Sequence, residues 1–122
     1  MSIETAIKGV LQERSALQKE EGVSNPSYIS EHMQRLVQFN SVLEERLGEE
    51  EKKLEIEEAR LFKEYRAKSM SVNASQTQIK YDIAVDKAEV TRLTRLCNSS
   101  YKFISASQSR VKHLVEEAHN QI

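Results

Sequence analysis

The sequence predicts an all-α protein, built as a short N-terminal helix followed by a long antiparallel two-helix hairpin of coiled-coil type. Three observations carry this. Only three glycines and one proline punctuate 122 residues, of which 39% are hydrophobic and 30% charged, the composition of a chain that is mostly helix. Apolar residues recur at three- and four-residue spacing instead of alternating, which is helical periodicity. From Ile79 onward that spacing runs without a break for about five heptads, the length of a coiled-coil seam. A chain of this size holds one domain at most, so residues 1–122 read as a single helical domain.

The first helix is expected over 2–20, with Ile3, Ile7, Val10, Leu11 and Leu17 on one stripe and Ser2 as N-cap. It stops at "EEGVSNPS", where Gly22 suits the left-handed position that closes a helix and Pro26 suits the first turn of the next. Asn25 or Ser24 then caps a second helix over 26–68, whose stripe is Ile29, Met33, Leu36, Leu43, Leu47, Leu54, Leu61 and Tyr65. Its weak point is "LGEEEKK". Gly48 costs about 1 kcal/mol relative to alanine there, and Glu50 stands where the stripe calls for an apolar group, so a bend or a thinner contact is expected.

"SMSVNASQ", residues 69–76, is the hairpin tip, and Ser71, Asn73 or Ser75 can cap the next helix. That third helix is expected over 74–119, with the seam Ile79, Ile83, Asp86, Val90, Leu93, Cys97, Ser100, Ile104, Ser107, Val111, Leu114 and Ala118. At ~1.5 Å per residue such a helix is roughly 68 Å long, which predicts an elongated molecule. With the turn near residue 72, facing residues have numbers summing to about 145. Leu96, Phe103, Phe39, Val42 and Phe62 lie off the seams. The first helix can cover some of them, and a partner chain is expected to cover the rest, which makes the protein a homo-oligomer.

Net charge is only −1, yet residues 1–59 carry 7 basic against 13 acidic side chains and residues 60–122 carry 11 against 6. Between Glu89 and Glu116 no acidic residue occurs, while Arg92, Arg95, Lys102, Arg110 and Lys112 do. Such segregation implies either internal charge matching or an anionic partner. On the register above, matching would set Arg95 against Glu50, Arg92 near Glu51, and Lys102 near Glu44 and Glu45.

The stretch "SSYKFISASQSRVKHL", residues 99–114, concentrates this choice. Ser100 and Ser107 occupy seam positions, where small side chains let helices approach closely. Off the seam, Ser99, Ser105 and Ser109 stand among Lys102, Arg110 and Lys112 with the rings of Tyr101 and Phe103 nearby. Bases that contact phosphate and rings that stack on nucleobases are what single-stranded nucleic acid requires.

Catalytic chemistry is not indicated. His32, His113 and His119 are scattered, no glycine-rich phosphate loop or metal-ligand spacing occurs, and no cofactor or metal is expected. Cys97 is the lone cysteine and sits on the seam, as a core thiol does. No apolar run is long enough to cross a membrane, and "MSIETAIKGV" lacks the pattern of a signal peptide, so no membrane partner and an intracellular, cytoplasmic location are expected.

The layout of a short helix, a long charged helix with "EEARLFKEY", a polar turn and then "IKYDIAVDKAEVTRLTRLCNSSYKFISASQSRVKHL" resembles the UvsY-type recombination mediators of T-even-type bacteriophages. Where that family carries a Lys-Ala-Arg-Leu motif on the long helix, this chain has Glu58-Ala59-Arg60-Leu61, so Arg60 matches and the lysine does not. Cys97, Ile104 and Val111-Lys112-His113-Leu114 are spaced as in the family's closing helix, although the aromatic that family members place shortly before that basic pair is replaced by Ser109. The resemblance implies a non-enzymatic, ring-forming oligomer in the host-cell cytoplasm. It would bind single-stranded DNA and help load a RecA-type recombinase in place of a single-strand binding protein. Candidate DNA contacts are Arg60, Lys63, Arg92, Arg95, Lys102, Arg110 and Lys112. The alternative is a coiled-coil adaptor or secretion-type chaperone that binds a partner's helix along an exposed apolar row. The two part on whether the bases of 92–112 are exposed or spent on the acids of 44–58.

Overall fold

The computed structural model describes residues 1–19 and 24–120, which form α1 (Ile3–Gln18), α2 (Pro26–Ala67), α3 (Val72–Asp82) and α4 (Ala84–Asn120). The fold is all-α, with no strand among the described residues. Gly22 and its expected role at the end of the first helix lie outside them.

Side chains define the helix starts as the sequence indicates. Ser2 Oγ accepts the Thr5 N–H at 3.1 Å, and Asn25 Oδ1 accepts those of Ser27 and Tyr28 at 3.1 and 3.2 Å with Pro26 in the first turn. Each cap satisfies donors that an α-helix leaves open, worth typically ~1 kcal/mol. The end of α2 is less expected. The Ser69 N–H donates to the Arg66 carbonyl and the Met70 N–H to the Tyr65 carbonyl, both at 3.1 Å, with Ser69 at φ 66°. This is the closing motif that normally takes glycine, so a side chain here sits in the left-handed region at a cost of about 1–2 kcal/mol. Ser71 then caps α3 by accepting the Ala74 N–H at 3.1 Å. Helix therefore resumes at Val72, and Asn73 and Ser75 lie inside α3. Ser69→Gly is expected to stabilise the protein by up to about 1 kcal/mol in chemical denaturation.

The expected single third helix is two helices, α3 and α4, parted at Ile83, whose φ/ψ of −101/4° leave the α region. No glycine or proline stands there. Two tertiary anchors on successive residues do: Ile83 is buried against Leu61 and Ile79, and Asp82 accepts a hydrogen bond from Tyr65 Oη. Helical bonding resumes at once, with the Lys87 N–H on the Ile83 carbonyl at 2.8 Å.

Packing divides the chain into two compact units, Met1–Glu44 with Arg95–Ile122, and Glu45–Thr94. In the first, Ala6, Val10 and Ala16 of α1 join Ile29, Leu36 and Leu43 of α2 and Cys97 and Ile104 of α4 in the core. Burying a Leu, Val or Ile side chain contributes about 1.5–3 kcal/mol. Helix α1 lies antiparallel to the start of α2. Phe39 rests on Gly9, its ring atoms 2.6–2.7 Å from where a Cβ would stand. Further along, Glu13 Oε2 meets His32 Nδ1 at 2.5 Å, and Tyr28 Oη donates to the Ala16 carbonyl at 3.2 Å. The first helix thus covers Phe39, and it also covers Phe103, over which the Arg14 guanidinium stands 4.6 Å from the ring centroid.

In the second unit Leu61, Ile79 and Ile83 form the cluster, with Leu54, Phe62 and Tyr65 packed around it. Through residues 45–60 α2 buries no side chain, and it passes Gly48 without interruption. Of the bend or thinner contact expected at "LGEEEKK", the thinner contact is present.

Candidate nucleic-acid interface

The seven candidate bases divide between the units. Arg60, Lys63 and Arg92 belong to the second, and Arg95, Lys102, Arg110 and Lys112 to the first.

Arg60 is engaged along its own helix. Its guanidinium donates to Glu57 at 3.0 and 2.6 Å and to Glu64 at 3.0 Å, an arrangement that holds the Glu57 carboxyl below its usual range and raises the arginine. Arg92 likewise donates to Glu89 at 3.1 and 2.7 Å, and that bond lowers Glu89. Lys63 is exposed. Arg92 thus meets Glu89 on its own helix. Glu50 takes Arg46 at 3.2 Å and Lys53 at 3.7 Å, both on α2. Three- and four-residue spacing lets acids and bases meet on one helix, so pairing runs along the helices.

In the first unit α4 presents three flanks. Tyr101 reaches α2, where its hydroxyl donates to Glu44 Oε1, the oxygen that also accepts Asn40 Nδ2 at 3.0 Å. It is Tyr101, and not the expected Lys102, that meets Glu44. The Glu44 carboxylate raises the Tyr101 hydroxyl. Beside it Cys97 is buried, and burial, then the Glu44 charge, push its thiol up, away from a nucleophile's range. On the opposite flank, Arg110 borders a cleft of about 290 Å³ with Leu17, Ile29, Phe103 and Ser107. Arg110 and Lys112, two residues apart, cannot share a face.

Arg95 and Lys102, seven residues apart, share the outward flank, and Ser109 continues it at the same spacing. Arg95, Lys102 and Lys112 are exposed and, among the described residues, make no ion pair. Tyr101 is 50% exposed, whereas one face of Phe103 is taken by Arg14. Of the two rings, Tyr101 is the one open to a base.

One buried polar group escaped the sequence reading. Asn40 is 1% exposed with its Oδ1 unpartnered, yet its place four residues after Leu36 and three before Leu43 is the seam spacing itself.

Among the described residues no three His, Cys, Asp or Glu side chains are placed to hold a metal, and no helix is long and apolar enough to cross a membrane. No protein-family model, no curated protein and no solved structure matches the chain.

Three carboxyls of the second unit are depressed: Asp82 by the Tyr65 hydroxyl and then Gln78, Glu57 by Arg60, and Glu89 by Arg92. A carboxyl whose value is lower folded than unfolded contributes stability above its unfolded value and loses it as the pH falls through the folded one. The contribution of these three carboxyls to thermal stability is expected to be constant above about pH 5 and to fall below about 4. Tyr65→Phe, melted at both ends of that range, is expected to shrink the difference.

Proposed function

We propose that the protein is a non-enzymatic, oligomeric mediator of recombination that binds single-stranded DNA and helps to load a RecA-type recombinase in place of a single-strand binding protein. The observation that supports this reading is the exposed outward flank of α4, where Arg95 and Lys102 stand one above the other without an ion pair among the described residues. Guanidinium and ammonium groups free of internal partners can neutralise phosphates and release their counterions, and the half-exposed Tyr101 ring offers a stacking face. The resemblance to UvsY-type mediators agrees with it in helix layout, and Arg60 holds its matched place, although Glu57 and Glu64 occupy its guanidinium.

Arg95→Glu combined with Lys102→Glu is the test. Fluorescence anisotropy with a labelled single-stranded oligonucleotide is expected to show at least a tenfold loss of affinity. The salt slope should fall by about 1.4, since each lost phosphate contact removes ~0.7 of a released counterion. Unchanged affinity and slope would remove these residues from the interface.

The adaptor reading has its own support in Tyr81 and Val85 of the second unit, 76% and 83% exposed. Large apolar side chains left in water invite a protein partner.

A further inference from the structure

The second unit carries a groove of about 510 Å³ whose walls differ in sign. Its floor is apolar, formed by Ala59 and Phe62 of α2 together with Ile79 and Ile83. On the α2 side the rim is acidic, with Glu55 and Glu58. On the α3–α4 side it is basic, with Lys80 and Lys87. All four charged side chains are exposed, and among the described residues none of them forms an ion pair. Elsewhere in the same unit Arg46, Lys53, Arg60, Lys68 and Arg92 each find a carboxylate on their own helix.

We infer that this groove is a two-fold interface between copies of the chain. An acidic wall facing a basic wall across an apolar floor is complementary to itself. A two-fold axis running along the groove lays the acidic rim of each copy over the basic rim of the other and turns the two apolar floors toward each other. A two-fold axis across the groove would instead oppose like charges. Isologous pairing of this kind needs no second type of surface, because each residue's contact is returned by the symmetry. Opposed rims fix the orientation and close over the apolar floors, so that Phe62, half-buried in the single chain, is screened from water. The groove is small beside the area of a stable standard interface, so the association is a weak one, populated at micromolar concentration and above. Its rims share no residue with the outward flank of α4 proposed to meet DNA, so this inference does not rest on that reading.

Two rim variants test it, since exposed substitutions leave the core cluster intact. In one, Glu55→Lys and Glu58→Lys make both rims basic. In the other, Lys80→Glu and Lys87→Glu make both acidic. Sedimentation equilibrium at 10–200 µM in low salt, roughly the range in which a weak pair forms, is expected to give a parent whose mass is at least twice 14 kDa. Each variant alone should have half the parent's mass, and their equimolar mixture should recover it. A parent that stays at 14 kDa, a variant that keeps the parent's mass, or a mixture of two folded variants that stays at the lower mass would each overturn the inference. Single-stranded DNA binding by the lower-mass variants is read separately by anisotropy and stands or falls independently.

Discussion

Replacing Gly9 with valine is expected to cost about 2–3 kcal/mol in chemical denaturation, whereas Gly48→Ala should stabilise the protein by about 1 kcal/mol. Both glycines lie inside helices with ordinary negative φ, so backbone freedom explains neither. What differs is the space around them. A Cβ at Gly9 would stand 2.6 Å from the Phe39 ring, and one at Gly48 would meet nothing within 4 Å. At Gly48 only the propensity gain remains. At Gly9 the ring must move, and with Val10 and Leu36 of the same unit fully buried it has little room to do so. A double-mutant cycle checks the cause. Phe39→Ala in the Gly9→Val background should cost much less than Phe39→Ala alone, because the residues touch. Additive costs would mean that α1 does not rest on α2 at this point.

Ser100→Leu is the second large effect, a loss expected in the range of about 1–3 kcal/mol. Ser100 is fully buried, and its hydroxyl donates to the Leu96 carbonyl at 2.9 Å, within its own helix. The serine needs nothing from a neighbouring helix except closeness, and leucine forces that closeness apart. Ser105→Leu, at an exposed position of the same stretch, should change stability by less than about 0.5 kcal/mol. Thermal melts of the pair tell a packing seam from an outward surface. Equal losses would mean that both serines are buried by a partner.

These two positions show how far the chain's own spacing reaches. Seam membership was legible in the middle of the third helix but not throughout, since Asp86 and Ala118, placed on the seam by spacing, and Leu11, placed on the first stripe, are exposed. Ser100, Cys97 and Ile104 are buried where the heptads place them, whereas the pairing expected at Glu44 missed by one residue, since Tyr101 meets it in place of Lys102. Caps were legible because Ser2, Asn25 and Ser71 supply the oxygens that helix starts require. Contact between Gly9 and Phe39 was not, since it depends on how α1 folds back across a connection whose path no local pattern encodes. Nor was the departure from helix at Ile83, where no breaker stands in sequence and two tertiary anchors meet. Ser69 hides the end of α2 because a serine does there what glycine usually signals. Charge pairing was legible in principle. Glu57, Arg60 and Glu64 are three and four residues apart, as are Glu89 and Arg92 by three, but a cross-hairpin register points to farther partners than these. The four rim charges of the groove are different again, because their significance lies in which wall each occupies.

Binding of labelled oligonucleotides, single-stranded and double-stranded, measured by fluorescence anisotropy at two salt concentrations, tests most directly the proposal that the protein binds single-stranded DNA. Tighter binding of the single strand is expected, with affinity falling as salt rises at about 0.7 per phosphate contacted. Failure to bind either oligonucleotide at low salt, or binding of the duplex as tightly as the single strand, would contradict the proposed function.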